Sequence, residues 1–432
     1  MVLLQGNFTH ATKNLRAILK HAYDTVPYYR RIFKERGLSP DDIKNVRDLT
    51  KLPVLTKADV RKNYWDLVST AYPRSKLVPY VSGGTGDQIR FFITREQQSW
   101  EWAAEFRAYG WAEYNFGDKC VVFWGSPIDL AKYKGIIKRF TSFLERVIVL
   151  NTYVLSDEVL EKYAFLLKKL RPKIIRGYAG SVYLMAKYML KNGINDIQPK
   201  AVITSAESLL DFQRKTIEDA FSCRVFDYYG SREIGAIAAE CEEHCGYHVS
   251  AENVVLECVR DGEHVAADEA GEILVTSLRN YGMPFIRYSI GDVGKLSDEV
   301  CVCRRGLPLM GSVEGRVSQF MAVFDKRLGR VVPVSTAAPG PFSLVLMKVP
   351  LDSYRIVQES LDRVVITAVK GKGFSDRHME FLVEHLRRIL GDGLRVEFEF
   401  VDYIPPLPSG KRSVFTSKIK VRGSKDMESL SR

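Results

Sequence analysis

The sequence predicts an α/β protein with a large N-terminal domain, built of mixed, largely parallel sheets and helices, and a small α+β C-terminal domain. Three observations carry the fold class. Residues 76–310 alternate short apolar runs with amphipathic helical patterns, the rhythm of an open sheet covered by helices. Residues 271–293 change to half-exposed alternation, which reads as antiparallel pairing. Residues 352–369, 376–390 and 394–402 then read as strand, helix, strand, a separate unit of domain size. A chain of 432 residues exceeds one typical core, in keeping with two or three domains.

The first sixty residues read as helices, with Leu15, Ile18, Leu19 and Ala22 at helical spacing and Tyr28 and Tyr29 following Pro27. Ser39 is placed as an N-cap, with Pro40 at the first helical position. Cys120–Trp124, Ile174–Ile175 and Ala201–Thr204 are apolar runs of the kind buried on both faces of a sheet. Residues 157–170, 181–192 and 208–221 carry helical patterns. Gly271–Thr276 and Phe285–Tyr288 alternate as an antiparallel strand pair, and the polar stretch Gly311–Arg330 reads as a join. The expected divisions are a helical segment of the large domain at 1–75, its core at 76–315, a hinge at 316–330 and the small domain at 331–432.

The composition, 46% hydrophobic and 27% charged, is that of a soluble globular protein. No uncharged apolar run reaches 18 residues, and the N-terminus lacks a basic flank before an apolar stretch. The expected location is the cytoplasm. Seven irregularly spaced cysteines argue against a disulfide framework. A net charge of +11 suits anionic partners, but the basic residues are dispersed and read as solvated helix surfaces. No basic helix or aromatic RNA-binding motif supports nucleic-acid binding, and no integral membrane association is expected.

Candidate chemistry begins at Val81–Asp87. Gly83, Gly84 and Gly86 let backbone N–H groups approach an anion, and Ser82 and Thr85 add hydroxyls, a composition suited to a polyphosphate. Alone, such a cluster is an ordinary turn. Further stretches follow in order: Ser205–Ser208 after a strand and opening a helix, Asp227–Gly235, Pro284–Asp292, Gly315–Arg316 and Pro408–Lys411. This ordered set resembles the core motifs of the acyl-adenylate-forming superfamily, and within it the phenylacetate–CoA ligase group and its CapK-like capsule-biosynthesis branch. The likeness runs nearly end to end, through His21–Arg30, Leu52–Lys57, Asn280–Pro284 and Glu314–Arg316.

The resemblance implies a role for each motif. Ser82, Gly83, Gly84, Thr85 and Gly86 would cover the β- and γ-phosphates of ATP. Glu233 would coordinate Mg²⁺, which prefers hard oxygen ligands. Asp292 would accept from both ribose hydroxyls. Ala206, Glu207, Ser208, Tyr229, Gly230 and Ser231 would line the nucleotide pocket; Tyr228 either shares that wall or is a core tyrosine. Arg316 would meet ribose or phosphate, and Arg287 would organise its strand region. Lys411, on a Ser-Gly-Lys turn, would place a point charge on the attacking carboxylate and α-phosphate, in a C-terminal domain that rotates between half-reactions. Trp124, Gly125, Gly177 and Tyr178 would shape the acid pocket, whose aromatic lining suits an aryl or aliphatic tail.

The chain departs from the family pattern at Gly84, where Ser or Thr is usual, and at Gln88, where Pro is usual. Arg232 replaces a small hydroxyl residue before Glu233, and Ser318–Gln319 replaces an acidic hinge pair. Cys241, His248, Cys301 and Cys303 form a candidate Cys3His set for structural Zn²⁺, with His244 and Cys245 as alternative ligands. Some relatives of this branch carry similar positions. The expected function is an ATP- and Mg²⁺-dependent carboxylate ligase that forms an acyl- or aryl-adenylate and passes the acyl group to coenzyme A or another nucleophile. The alternative is a degenerate nucleotide-binding member acting in regulation or in polysaccharide-biosynthesis assembly.

Overall fold

The computed structural model describes residues 9–82, 88–124, 144–152, 155–316, 320–325, 330–335, 348–390, 395–405 and 415–419. The chain opens with helices α1 (Thr9–Thr25) and α2 (Pro27–Glu35), the second with Pro27 at its first position, and continues to the short α3 (Lys57–Lys62). Ser39 stands at the N-cap expected there, with its N–H and hydroxyl both donating to the Asp42 carboxylate at 2.8 Å, but the helix it starts is a single 3₁₀ turn, Pro40–Asp42. Leu15, Ile18, Leu19, Tyr29 and Phe33 of α1 and α2 pack into the largest buried cluster. Thr56 caps α3 by accepting from the Asp59 N–H, while the Asp59 carboxylate returns a bond to the Thr56 N–H.

The hairpin β1 (Leu77–Val81) and β2 (Arg90–Thr94) comes next, antiparallel, and leads into α4 (Arg95–Trp111), capped by Thr94. The core sheet is then built from β3 (Cys120–Trp124), β4 (Val147–Asn151), β5 (Ile174–Tyr178), β6 (Ala201–Ser205) and β7 (Arg224–Ser231). Between them lie α5 (Asp157–Leu170), α6 (Ala179–Lys191) and α7 (Asp211–Phe221). These five strands pair in parallel in the order β7, β6, β5, β3, β4. Their apolar runs are explained by burial on both faces. Val121, Phe123, Ile175 and Val202 pack under α5, α6 and α7, whereas Cys120, Val122, Ile174 and Ile203 pack with Tyr109 and Tyr114 at the end of α4.

Beyond β7 the sheet turns antiparallel through β8 (Gly235–Glu240), β9 (Tyr247–Val249), β10 (Val254–Arg260), β11 (Glu263–His264), β12 (Gly271–Ser277), β13 (Tyr288–Ser297) and β14 (Leu309–Arg316). Among the described residues this makes one 12-stranded sheet. The expected antiparallel pair is present as β12 and β13, but Phe285–Arg287 precede the strand instead of belonging to it. Arg287 has φ 51°, a left-handed conformation that breaks the strand, and its guanidinium is spent on a buried anchor. Gly311–Arg316 are also not a polar join: they are the end of β14, paired with β13 across the sheet. A separate hairpin follows, β15 (Phe320–Asp325) with β16 (Arg330–Ser335).

The C-terminal unit is a four-stranded sheet, β19 (Arg395–Phe400), β18 (Arg363–Lys370), β17 (Leu351–Ser360) and β20 (Phe415–Ser417), with α8 (Asp376–Leu390). The single strand read over 352–369 is two, because Leu361–Asp362 turn the chain into an antiparallel hairpin. Val364, Ile366, Ile356 and Phe415 form its core with Leu382 and Leu386 of α8. Lys187 of α6 bonds Asp352 at the start of β17, at 2.7 Å, a direct link between large domain and small.

Candidate active site

The expected site residues converge where β7 runs into β8. Tyr228, Tyr229, Gly230 and Ser231 are the last residues of β7, and Arg232, Glu233 and Ile234 form the turn to β8. The turn is tight for a specific reason. A side chain at Gly230 would stand 2.6 Å from the Gly235 carbonyl, and Gly235 itself has φ 87°. The Ser231 hydroxyl accepts from the Ile234 N–H at 3.2 Å, which closes it. Glu233 is buried in this turn, and the Tyr288 hydroxyl donates to its carboxylate at 3.3 Å. It is therefore a hairpin-turn carboxylate held from β13, not the first residue of a helix.

Tyr229 and Asp292 meet although 63 positions separate them: the Tyr229 hydroxyl donates to Asp292 Oδ2 at 2.8 Å. Asp292 lies on β13 directly after Gly291, whose φ is 82°, and pairs in register with Arg316 on β14. The aromatic, the carboxylate and the arginine position thus come to one place on three strands. Arg287 lies outside it. Its Nε donates to both Glu257 oxygens at 3.0 and 3.2 Å, and its other nitrogens reach the Leu52 and Gly262 carbonyls at 2.6 and 2.8 Å. The pair is fully buried and fastens the N-terminal segment to the antiparallel half of the sheet.

Three expectations change in the structure. Ser82, expected to offer its hydroxyl to phosphate, is wholly buried; it accepts from the Ile89 N–H at 2.9 Å while its own N–H bonds the Ile89 carbonyl. It is the clasp at the neck of the glycine loop. Ser205–Ser208 do not open a helix. Ala206 has φ 68°, so the chain turns before α7 begins at Asp211, and the Glu207 carboxylate accepts from the Gly180 N–H at 2.8 Å. That bond puts a negative charge on the N-terminus of α6, where the helix dipole favours it. Tyr228 does not share the wall of Tyr229. Side chains alternate along a strand, so Tyr228 faces α4, with its ring 5.7 Å from that of Tyr109.

The acid-pocket residues take the C-terminal ends of neighbouring parallel strands, where open α/β sheets bind ligands. Trp124 of β3 and Tyr178 of β5 have ring centroids 4.3 Å apart. Gly177 lies on the other face, where a side chain would stand 2.6 Å from the Phe123 Cβ, so its role is close strand packing. Gly83, Gly84, Thr85, Gly86, Gly125 and Lys411 lie outside the described residues, as do Ser318 and Gln319. Nothing in the sequence pointed to Glu101 of α4, which abuts Gly235. Burial is the largest cause lifting its carboxyl to about 8, with neighbouring Glu105 adding to it and a bond from Gln97 opposing. Gln97, Glu101, Glu105 and Tyr109 recur every four positions, and this polar spacing on a helix that packs on the sheet was the available signal.

Cys241, His248, Cys301 and Cys303 do come together, with their ligand atoms all within 4.8 Å of one another. The Cys241 and Cys301 sulfurs are 3.7 Å apart, and Cys303 Sγ is 3.2 Å from His248 Nε2. A tetrahedral ion with Zn–S bonds of about 2.3 Å separates two sulfurs by about 3.8 Å, so the donor set fits a closed structural zinc site. The alternatives do not reach it. The His244 ring bonds Glu240, and the Cys245 thiol points to the Glu243 carbonyl.

The C-terminal segment, residues 345–418, matches the CapK C-terminal domain family. Protein CapK of Staphylococcus aureus is 26% identical over 91% of this chain and 85% of its own length. A phenylacetate–coenzyme A ligase of Thermus thermophilus is 23% identical over 91% of each chain. The chain is thus similar along most of its length to CapK and to phenylacetate–CoA ligases, and its C-terminal segment matches the CapK C-terminal domain. Solved structures share the fold. A 2-hydroxyisobutyryl-CoA ligase in its postadenylation state superposes with a TM-score of 0.75 at 17% identity, over 99% of this chain and 93% of that one. ATP-bound MatB of Rhodopseudomonas palustris gives 0.56 at 13% identity, over 79% and 68%. Among the described residues no helix is long and apolar enough to cross a membrane.

Proposed function

We propose that this chain is an AMP-forming carboxylate ligase, which joins an acid to the α-phosphate of ATP with loss of pyrophosphate and then transfers the acyl group to coenzyme A. The observation that carries the reading is the Tyr229–Asp292 bond, which ties β7 to β13, together with the buried Glu233 in the turn after β7, held by Tyr288 of the same β13. Asp292 has oxygens to accept from ribose hydroxyls, and Tyr229 both orients it and offers a ring face to the base. Glu233 is a hard oxygen donor that would hold Mg²⁺, whose charge would offset that of the phosphates. The glycine loop, clasped at Ser82 and Ile89, is the segment we assign to the departing phosphates. The acid would enter between Trp124, Tyr178 and Tyr228, with its carboxylate toward the nucleotide.

Lys411 is assigned the transition-state charge, where a fixed cation is worth about 10²–10³ in rate. In this reading zinc, held by Cys241, His248, Cys301 and Cys303, fixes the end of β8 to the loop before β14 and takes no part in the chemistry. Exchange of labelled pyrophosphate into ATP, screened over mixed carboxylic acids, tests the proposal. Acid-dependent exchange, lost in Lys411→Ala with ATP binding retained, is the expected result. Tight ATP binding with no exchange for any acid would overturn it in favour of a degenerate nucleotide-binding protein.

A further inference from the structure

The face of α4 that packs on the parallel sheet is not apolar. Gln97, Glu101, Glu105 and Tyr109 stand one turn apart on a single stripe. Gln97 Nε2 donates to Glu101 Oε1 at 2.7 Å, and the Tyr109 hydroxyl donates to Glu105. From the sheet, Arg176 of β5 reaches the same stripe, bonding Glu105 Oε1 at 3.2 Å and the Tyr109 oxygen, with its guanidinium 4.0 Å from the Tyr109 ring centre. A stripe of this kind costs stability unless its groups are satisfied, and here several of them have no protein partner among the described residues. Gln97 is 1% exposed, yet its Oε1 has no hydrogen-bond partner. Arg176 uses only Nη2; its Nε and Nη1 donate to nothing among the described residues. The Tyr228 hydroxyl and Glu101 Oε2 are likewise without a hydrogen bond among the described residues.

These groups also face open space. Arg176 lies on a central strand beneath a helix, yet 25% of its side chain is accessible, as is 30% of Glu105. Among the described residues this accessibility points to a crevice between α4 and the sheet. We place its mouth at the strand ends, at Trp124, Tyr178 and Tyr228, where the proposed reading puts the acid. Its inner end is at Arg176, two residues back from Tyr178 on the same face, which is about 7 Å deeper.

We propose that this polar seam is the selective end of the acyl pocket, and that the acid it takes carries an uncharged oxygen function, a hydroxyl or a keto group, on its tail. This rests on the ligase reading and replaces the aryl or plain aliphatic tail that the sequence suggested. The free groups are mostly donors: two N–H positions of Arg176, the Tyr228 phenol and the Glu101 carboxyl, whose proton burial retains near neutral pH. They call for an acceptor oxygen. A second carboxylate is disfavoured because Arg176 is already paired with Glu105. A plain hydrocarbon tail would bury these groups without partners, and sites built to bond a polar atom reject its apolar analogue strongly.

Non-hydrolysable acyl-sulfamoyl adenosines test the proposal by equilibrium titration, independent of turnover. The probes are two matched pairs, 3-hydroxybutyryl against 3-methylbutyryl and 4-oxopentanoyl against 4-methylpentanoyl. The expected result is a preference of about 10-fold or more for the oxygen-bearing member of at least one pair. Tyr228→Phe and Arg176→Lys are expected to cut that preference to about 3-fold or less, with binding of the methyl member little changed and the melting temperature checked for each variant. Equal or tighter binding of the methyl member in both pairs would overturn the inference while leaving the ligase reading intact. So would a preference that survives both substitutions. Failure of all four probes to bind would remove the ligase reading, and this inference with it.

Discussion

Glu101→Gln should stabilise this protein, and more so as the pH rises. Glu101 sits under α4 against Gly235, where burial lifts its carboxyl from 4.5 to about 8. In the unfolded chain the group ionises near 4.5, so between pH 4.5 and 8 the unfolded state releases a proton that the folded state keeps. The unfolded state then binds fewer protons, and stability falls with pH across that window. At pH 7 the full shift corresponds to about 3 kcal/mol, at 1.36 kcal/mol per pH unit above 4.5. Water reaching the crevice screens part of this, leaving about 1–2 kcal/mol. Glutamine reproduces the protonated acid and still accepts the bond from Gln97, but cannot ionise. Melting temperatures of the two proteins at equal ionic strength should nearly coincide at pH 5 and diverge by about 1–2 °C at pH 8, with the variant higher. A gap that stays constant between pH 5 and 8 would refute the burial argument for Glu101.

Tyr229→Phe removes the hydroxyl that donates to Asp292 at 2.8 Å. Nucleotide affinity, measured by titration calorimetry, should fall by about 5- to 20-fold, the equivalent of one hydrogen bond to a charged group, with the melting temperature of the free protein nearly unchanged. Arg287→Met leaves the buried Glu257 carboxylate with His264, at 2.9 Å, as its remaining side-chain partner and frees two carbonyls, so thermal unfolding should show a loss of about 3 kcal/mol and reduced soluble yield. Metal analysis of purified protein should find about one zinc per chain, lost in a Cys241→Ser, Cys303→Ser double variant; a chelator should lower the melting temperature without new disulfides forming.

Much of the scaffold was legible in the chain because its signals are local. The apolar runs at Cys120–Trp124 and Ala201–Ser205 need both faces covered, and Asp157–Leu170 carries helical spacing with acids first and lysines last. Where local signals were equivocal the reading slipped. Leu351–Lys370 is uniformly strand-like, and only the turn at Leu361–Asp362 divides it. Gly311–Arg316 is polar because one side of β14 faces open surface, not because it joins domains.

The sequence by itself determined which residue types are present for nucleotide chemistry, and in what order: the glycine loop, Tyr229, Glu233, Asp292 and Lys411. A glycine where φ must be positive, or a hydroxyl beside glycines, is a property of a few adjacent residues and survives in one dimension. Only the tertiary structure decided partnership. It joined Tyr229 to Asp292, gave Ser82 to Ile89, turned Tyr228 away from Tyr229 and toward Tyr109, and gathered Cys241, His248, Cys301 and Cys303 within 4.8 Å. It also showed that α4 turns a polar stripe toward the parallel sheet. The physical reason is that hydrogen bonding and burial depend on distances across strands and layers, which sequence spacing does not encode.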